Sequence, residues 1–166
     1  MLYEKLGRPA LGKTISLVGK AAAEEIVQDV FVKLWKAGLK FPNLKSAYAW
    51  VYKCCTNAAI DFLRSRSNQS VALYSDSGAV IAEAESKVDL NSPSNLETRM
   101  AAKQSLHILV CELSQDEASF FIYRSVEGLK QDEIAEVMKI SRRTVNRLQE
   151  KVDVKLAKIR GRQNVG

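Results

Sequence analysis

The chain has 166 residues, 46% of them hydrophobic and 27% charged, with a formal net charge of +6 and a pI near 9.3. This is ordinary composition for a globular protein of one domain or two small ones. No apolar run approaches the ~20 residues of a membrane span and no secretory leader pattern is visible, so a cytoplasmic protein without membrane insertion is expected.

The predicted elements are all helical. Ala, Leu, Lys, Glu and Ile recur at helical spacing, only three prolines occur, and β-branched alternation is scarce. The stretch AEEIVQDVFVKLWKAG puts Ile26, Val27, Val30, Phe31 and Leu34 on one helical face. Gly38 ends that run, and LKFPNLKS, with Pro42 in it, forms a short loop. AYAWVYKCCTNAAIDFLRSRS then predicts a long helix over about 47–65. Its inner side is expected to carry Val51, Cys54 or Cys55, Ala58 and Phe62. Lys53, Asn57, Asp61 and Arg64, three or four apart, share the opposite face, which is either solvated or a contact surface. Cys54 and Cys55 are neighbours, Cys111 is remote, no CxxC occurs and His107 has no spaced partner ligand. Free buried thiols are expected, with no metal and no cofactor.

Residues 67–94 read SNQSVALYSDSGAVIAEAESKVDLNSPS, polar and acidic. A stretch of that length predicts a flexible linker between two domains rather than a loop within one. The charge follows the same division. Residues 1–66 carry 11 Lys/Arg against 5 Asp/Glu, 67–100 carry 2 against 5, and 101–166 carry 12 against 9. A basic–acidic–basic layout points to polyanion binding at both ends. Beyond the linker, Ser94 and Glu97 have capping-box spacing and predict a helix over about 96–112. Ser114 and Glu117 repeat the signature for a second helix to about Val126, with Gly128 placed to end it.

QDEIAEVMKISRRTVNRLQE, residues 131–150, joins two short amphipathic runs. Ala135 is small where two helices would approach, and Ile134, Met138, Ile140, Val145 and Leu148 have the spacing that holds a helix-turn-helix together. Asp132 and Glu133 suit the first turn of the leading helix. Ser141 can cap the second, whose apolar stripe continues through Val152, Leu156 and Ile159. Lys139 stands where the turn wants a glycine at positive φ, at a cost on the order of 1 kcal/mol. With Val145 and Leu148 inward, Arg142, Arg143, Asn146 and Arg147 project outward near the helix start, suited to base edges in a major groove. Residues 139–162 hold 9 basic and 2 acidic residues, and Lys151, Lys155, Lys158, Arg160 and Arg162 would add phosphate attraction.

Two blocks together carry a resemblance. AEEIVQDVFVKLWK with FPNLKSAYAWVYKCCTNAAIDFLRSR resembles region two of bacterial RNA polymerase sigma factors of the extracytoplasmic-function (ECF) type. LSQDEASFFIYRSVEGLKQDEIAEVMKISRRTVNRLQEKVDVKLAKIR resembles their region four. The resemblance implies an all-α protein of two small helical domains: region two in 1–66, an acidic linker over 67–95, and region four in 96–166. It implies core RNA polymerase and promoter DNA as partners, with an anti-sigma factor a further partner common in the family. Glu25, Gln28, Asp29 and Lys33 would be polymerase contacts, with Trp35 beside them. The loop at 41–46, with Asn43 and Lys45, and the helix residues Lys53, Asn57 and Arg64 would read the minus-ten element. Tyr48 and Trp50 would stack on bases, core packing being the other reading of Trp50. Arg142, Arg143, Thr144, Asn146 and Arg147 would read the minus-thirty-five element.

The competing reading is a helix-turn-helix regulator whose N-terminal part senses a signal and which binds an operator without polymerase. An enzyme is not expected: His107 has no evident triad partner, no Gly-rich phosphate loop occurs, and the Asp132/Glu133 pair is explained by helix capping.

Overall fold

A computed structural model describes residues 2–69 and 106–164 of the chain. Among these residues the fold is all-α, as expected, in two helical groups. Most of the linker, and the Ser94/Glu97 box with the helix start it predicts, lie outside the described residues.

The first group has three helices. α1 (Leu2–Val18) buries Leu6, Ala10 and Leu17 along one side. Pro9 lies inside it and removes one backbone donor, while Thr14 returns its hydroxyl hydrogen to the Ala10 carbonyl at 2.7 Å. Gly19, at φ 88°, breaks the path and starts α2 (Lys20–Ala37). α2 buries Ala23, Ile26, Val27, Val30 and Leu34, which is the predicted stripe with Phe31 at its edge. Gly38, left-handed at φ 60°, closes α2 by donating to the Trp35 carbonyl. α3 (Leu44–Gln69) is longer than the sequence suggests. Its first turn is capped by Asn43, whose side-chain oxygen accepts the Ser46 N–H at 2.8 Å.

The second group begins with α4 (106–112). α5 (Gln115–Phe121) starts at a complete capping box, with Ser114 accepting the Glu117 N–H and the Glu117 carboxylate accepting the Ser114 N–H. It runs on as a π-helical turn over Ile122–Val126. Gly128, at φ 69°, then ends the run, and the Leu129 N–H reaches back to the Tyr123 carbonyl at 2.8 Å. α6 (Gln131–Met138) and α7 (Arg142–Gln163) follow. Val110, Leu113, Phe120, Ile122, Ile134, Val145 and Val152 form the buried centre.

The two groups pack directly against each other. α3 lies on α5 and α6, and the buried side chains of both groups form one continuous cluster. α3 is therefore covered on two sides. It buries Val51, Tyr52, Cys55, Thr56, Ala59, Ile60 and Leu63, while the predicted inward residues Cys54, Ala58 and Phe62 are only half-buried. A single inward stripe does not describe a helix shared by two groups.

Candidate nucleic-acid and polymerase interfaces

The helix-turn-helix is built as its spacing predicts. Lys139 ends α6 in the left-handed region (φ 54°, ψ 47°), the one non-glycine at positive φ among the described residues. The Ile140 N–H donates to the Ala135 carbonyl at 3.1 Å. Ser141 caps α7 by accepting the Thr144 N–H at 3.2 Å. Across the joint the Gln131 amide donates to Gln149 at 2.8 Å, and Val145, Leu148 and Val152 are buried beneath it. Arg142, Arg143, Asn146 and Arg147 are consequently exposed together at the start of α7. Arg142 meets Asp132 at 3.4 Å with both side chains well exposed, a contact of little energy that a phosphate or base can displace. Thr144 is half-buried and its hydroxyl lies 2.9 Å from that of Ser141.

The basic tail of α7 divides. Lys151, Lys158, Arg160 and Arg162 are exposed, Arg162 lying 3.6 Å from Glu112. Lys155 turns inward to Glu117 at 2.6 Å. Burial pushes the Glu117 carboxyl up, but the hydrogen bonds from Lys155 and the Ser114 backbone, with the charges of Lys155 and Lys151, outweigh it and hold the group below the usual range.

On α2, Glu25, Gln28, Asp29 and Lys33 are all exposed, opposite the buried stripe. Trp35 is 83% exposed, and Val32, one turn before it, and Leu39, just past the helix end, are exposed too. An accessible indole with apolar neighbours and flanking charges has the make-up of a protein-contact surface.

The polar face of α3 is not free. Arg64 donates from Nε to the Val110 carbonyl at 3.2 Å, from one terminal nitrogen to Gln115 at 2.8 Å, and from the other to the Leu113 carbonyl at 2.6 Å. The Asn57 side-chain oxygen accepts from Gln115 at 3.4 Å and from Ser119 at 3.3 Å. Lys53 reaches the Met138 carbonyl at 3.5 Å. Lys45 pairs with Glu136 at 2.9 Å, both exposed, and Asn43 is exposed while capping α3. Asp61 alone of the predicted face is fully exposed. Trp50 is half-buried, its ring 6.0 Å from Phe41, which turns the 41–46 loop inward there.

Residues outside the predicted sets complete this seam. Lys13 of α1 sits 4.1 Å from the centre of the Tyr52 ring and 3.3 Å from the Glu127 carboxylate. Tyr52 stacks on Tyr48 at 5.8 Å and meets Tyr123 at 5.3 Å. The buried hydroxyl of Tyr52 lies against Glu127 and that of Tyr123 against Thr56, neither in well-formed hydrogen-bond geometry. Burial, then the nearby Glu127 charge, drives the Tyr52 phenol far up; burial does the same to Tyr123. A crevice of about 220 Å³ remains between α3, α5, the end of α6 and α7, lined by Lys53, Asn57, Ser119, Met138 and Thr144. Asn57 and Lys53 meet their hydrogen-bond partners across 58 to 85 residues of chain, so no local pattern in the sequence signals them.

Cys55 is buried, which pushes its thiol up to about 11; Cys54 is half-buried and also raised, while Cys111 is exposed. The expectation of buried thiols therefore fails at Cys111, which falls on the open side of α4. Among the described residues no group of three His, Cys, Asp or Glu is placed to hold a metal, and no helix is long and apolar enough to cross a membrane.

Residues 2–69 match the family model of sigma-70 region 2, and residues 103–148 match that of sigma-70 region 4. The chain is 26% identical over 145 residues to the RNA polymerase sigma-H factor of Pseudomonas aeruginosa, covering 83% of this chain and 73% of that protein. It is also 26% identical over 118 residues to the ECF RNA polymerase sigma-E factors of Escherichia coli K12 and Salmonella typhimurium LT2, covering 69% of this chain and 61% of each of those. With both regions present in order and ECF relatives on both, the chain belongs to the sigma-70 family of RNA polymerase sigma factors, as an ECF-type member.

Proposed function

We propose that the chain binds core RNA polymerase and directs it to promoters of one sequence class, with no catalysis of its own. The observation that carries the reading is the pairing of an intact helix-turn-helix with a region-two match over 2–69. An operator-binding regulator has no use for the second part, so that alternative is not favoured.

The division of labour follows the chemistry of each surface. Residues 1–66 form the polymerase- and minus-ten-binding unit and 96–166 the minus-thirty-five unit, joined by the acidic segment 67–95. Glu25, Gln28, Asp29 and Lys33, with Trp35, dock on the polymerase. Arg142, Arg143, Thr144, Asn146 and Arg147 lie at the helix start that enters a major groove. There arginine pairs bidentately with guanine and asparagine with adenine. Asn43, Lys45, Lys53, Asn57 and Arg64 take the strand separated at the minus-ten element, where extruding a base costs a few kcal/mol that basic and amide contacts offset. An anti-sigma factor is a further partner, acting in the cytoplasm on these same surfaces.

The test is transcription with purified core polymerase on genomic template, mapping 5′ ends. Promoter-specific starts absent with core alone are expected; none appearing would refute the reading. Arg142→Ala with Arg143→Ala is expected to lower use of promoters by ~10–100-fold, from loss of one or two bidentate contacts worth about 1–3 kcal/mol each. The loss concentrates at the upstream element, as base changes there would reveal.

A further inference from the structure

We propose that Glu150 sets part of the promoter preference: its carboxylate selects a C·G base pair in the upstream element, with the cytosine amino group as the donor it accepts from. The inference rests on the sigma-factor reading above and adds to the arginines and Asn146 a reading group of opposite charge.

The register of α7 places it there. Arg143, Asn146, Arg147 and Glu150 stand at i, i+3, i+4 and i+7, which puts all four on one side of the helix. Val145, Leu148 and Val152, all buried, take the opposite side. The reading helix of a homeodomain reaches base edges through the same four offsets. Glu150 lies one turn, about 5 Å, beyond Asn146 and Arg147, a step of one to two base pairs at about 3.4 Å each.

The partners of this stretch point the same way. Arg142, Thr144 and Gln149, on the flanks of that side, are engaged within the protein by Asp132, Ser141 and Gln131. The four outward residues are exposed and, among the described residues, make no hydrogen bond or ion pair. Elsewhere in this helical group acids close on a cation, as Glu117 does on Lys155 and Glu112 on Arg162. Glu150, with Arg147 a turn before it, does not.

The chemistry of a carboxylate then decides the base. It accepts hydrogen bonds and donates none. In the major groove guanine presents two acceptors, and thymine an acceptor and a methyl group, so neither can satisfy it. Adenine sets its amino group beside the N7 acceptor, whereas cytosine offers its amino group without one and is the base that Glu and Asp read. Phosphates repel the same carboxylate, so Glu150 adds nothing to attraction for DNA in general. It discriminates chiefly by penalising the wrong base pair.

The experiment uses the full chain with core polymerase on a promoter mapped with the wild-type chain. Each base pair of the upstream element is replaced in turn by the other three, and transcript yield is read. Wild type is expected to favour C·G at one position by about tenfold. Glu150→Ala should abolish the preference at that position alone. Glu150→Gln should move it to A·T, because glutamine pairs bidentately with adenine. Asp153→Asn removes the same charge from the next exposed acid along α7 and should leave the profile as in wild type. No C·G preference in wild type, or a Glu150→Ala profile that differs from it only by a uniform change in yield, makes Glu150 a solvated acid and overturns the proposal. The same loss from Asp153→Asn makes the effect one of charge alone and overturns it too. If wild type gives no promoter-specific start, this proposal and the family function fall together. If Arg142→Ala with Arg143→Ala flattens the upstream element while the Glu150 variants leave it unaltered, the role of Glu150 alone fails.

Discussion

Lys139 shows how one residue exposes the geometry around it. Its backbone sits at φ 54°, where a Cβ crowds the following carbonyl, because the chain must reverse between α6 and α7. The side chain is exposed and no hydrogen bond ties it down, so the strain is not offset locally. Lys139→Gly should raise stability by about 0.5–1 kcal/mol, the relief of strain less the greater freedom glycine has when unfolded. A urea denaturation midpoint shifted upward at unchanged slope would show it; a fall would mean that the lysine holds the turn in some other way. This strain was legible in the sequence, because the offsets from Ala135 to Val145 fix which residue must turn. Arg64 was legible only as a cation on a polar face. Its three acceptors lie 46 to 51 residues away along the chain, and helical periodicity carries no information on what covers a polar face.

Among the elements, α5 is only seven residues long and depends heavily on its ends. Seven residues give it few internal hydrogen bonds, and the Ser114/Glu117 box supplies two of its first donors with acceptors. Glu117 also anchors Lys155 of α7, so one carboxylate ties the start of α5 to the second helix of the helix-turn-helix. Its pKa lies below the ordinary value of 4.5 in the folded chain. The sign follows: its contribution is complete above the unfolded value and is lost as pH falls through the lowered folded one. Glu117→Gln should therefore cost about 1–2 kcal/mol at neutral pH, the loss of a charge-assisted pair. The gap between variant and wild type should close in acid. Chemical denaturation of both chains from pH 7 to pH 3 measures it, and a gap independent of pH would sink the assignment. The box itself was written in the sequence as S-x-x-E; the partnership with Lys155 was not, since the lysine reads equally well as a phosphate contact. α3 shows the opposite failure. The sequence points to a stripe of Val51, Cys54 or Cys55, Ala58 and Phe62; Val51 and Cys55 are buried, but two packing groups carry the buried band on to Ala59, Ile60 and Leu63 and leave Ala58 and Phe62 half-buried.

At the scale of the whole molecule, the seam between the two groups joins a shared buried cluster, in which Tyr52 meets Tyr123, to a margin of charged and amide contacts. Screening shortens to about 3 Å at 1 M salt from about 10 Å at 0.1 M. The exposed Lys45–Glu136 pair should weaken first, and Lys13–Glu127, with a carboxylate only 10% exposed, should persist longer. Energy transfer between dyes on α2 and on the outer face of α7 should report a modest opening with salt. No change in distance between low and high salt would mean that the tyrosine packing alone holds the seam. The all-helical class, the helix-turn-helix and the exposure of the arginines at the start of α7 are within reach of the sequence because each depends on neighbours within a turn or two. The joining of the two groups is not, because a polar face suits water, nucleic acid and another protein surface equally well.

The three bonds made by Arg64 bear on how such a chain can change over time. If the α3 face reads DNA as proposed, a substitution there would alter that reading and, in the same stroke, the contacts that join the two groups. On the proposed role of that face, recognition and the joining of the two groups would then be inherited as one trait, and of the three acceptors only the Gln115 side chain could be exchanged to compensate, since the other two are main-chain carbonyls.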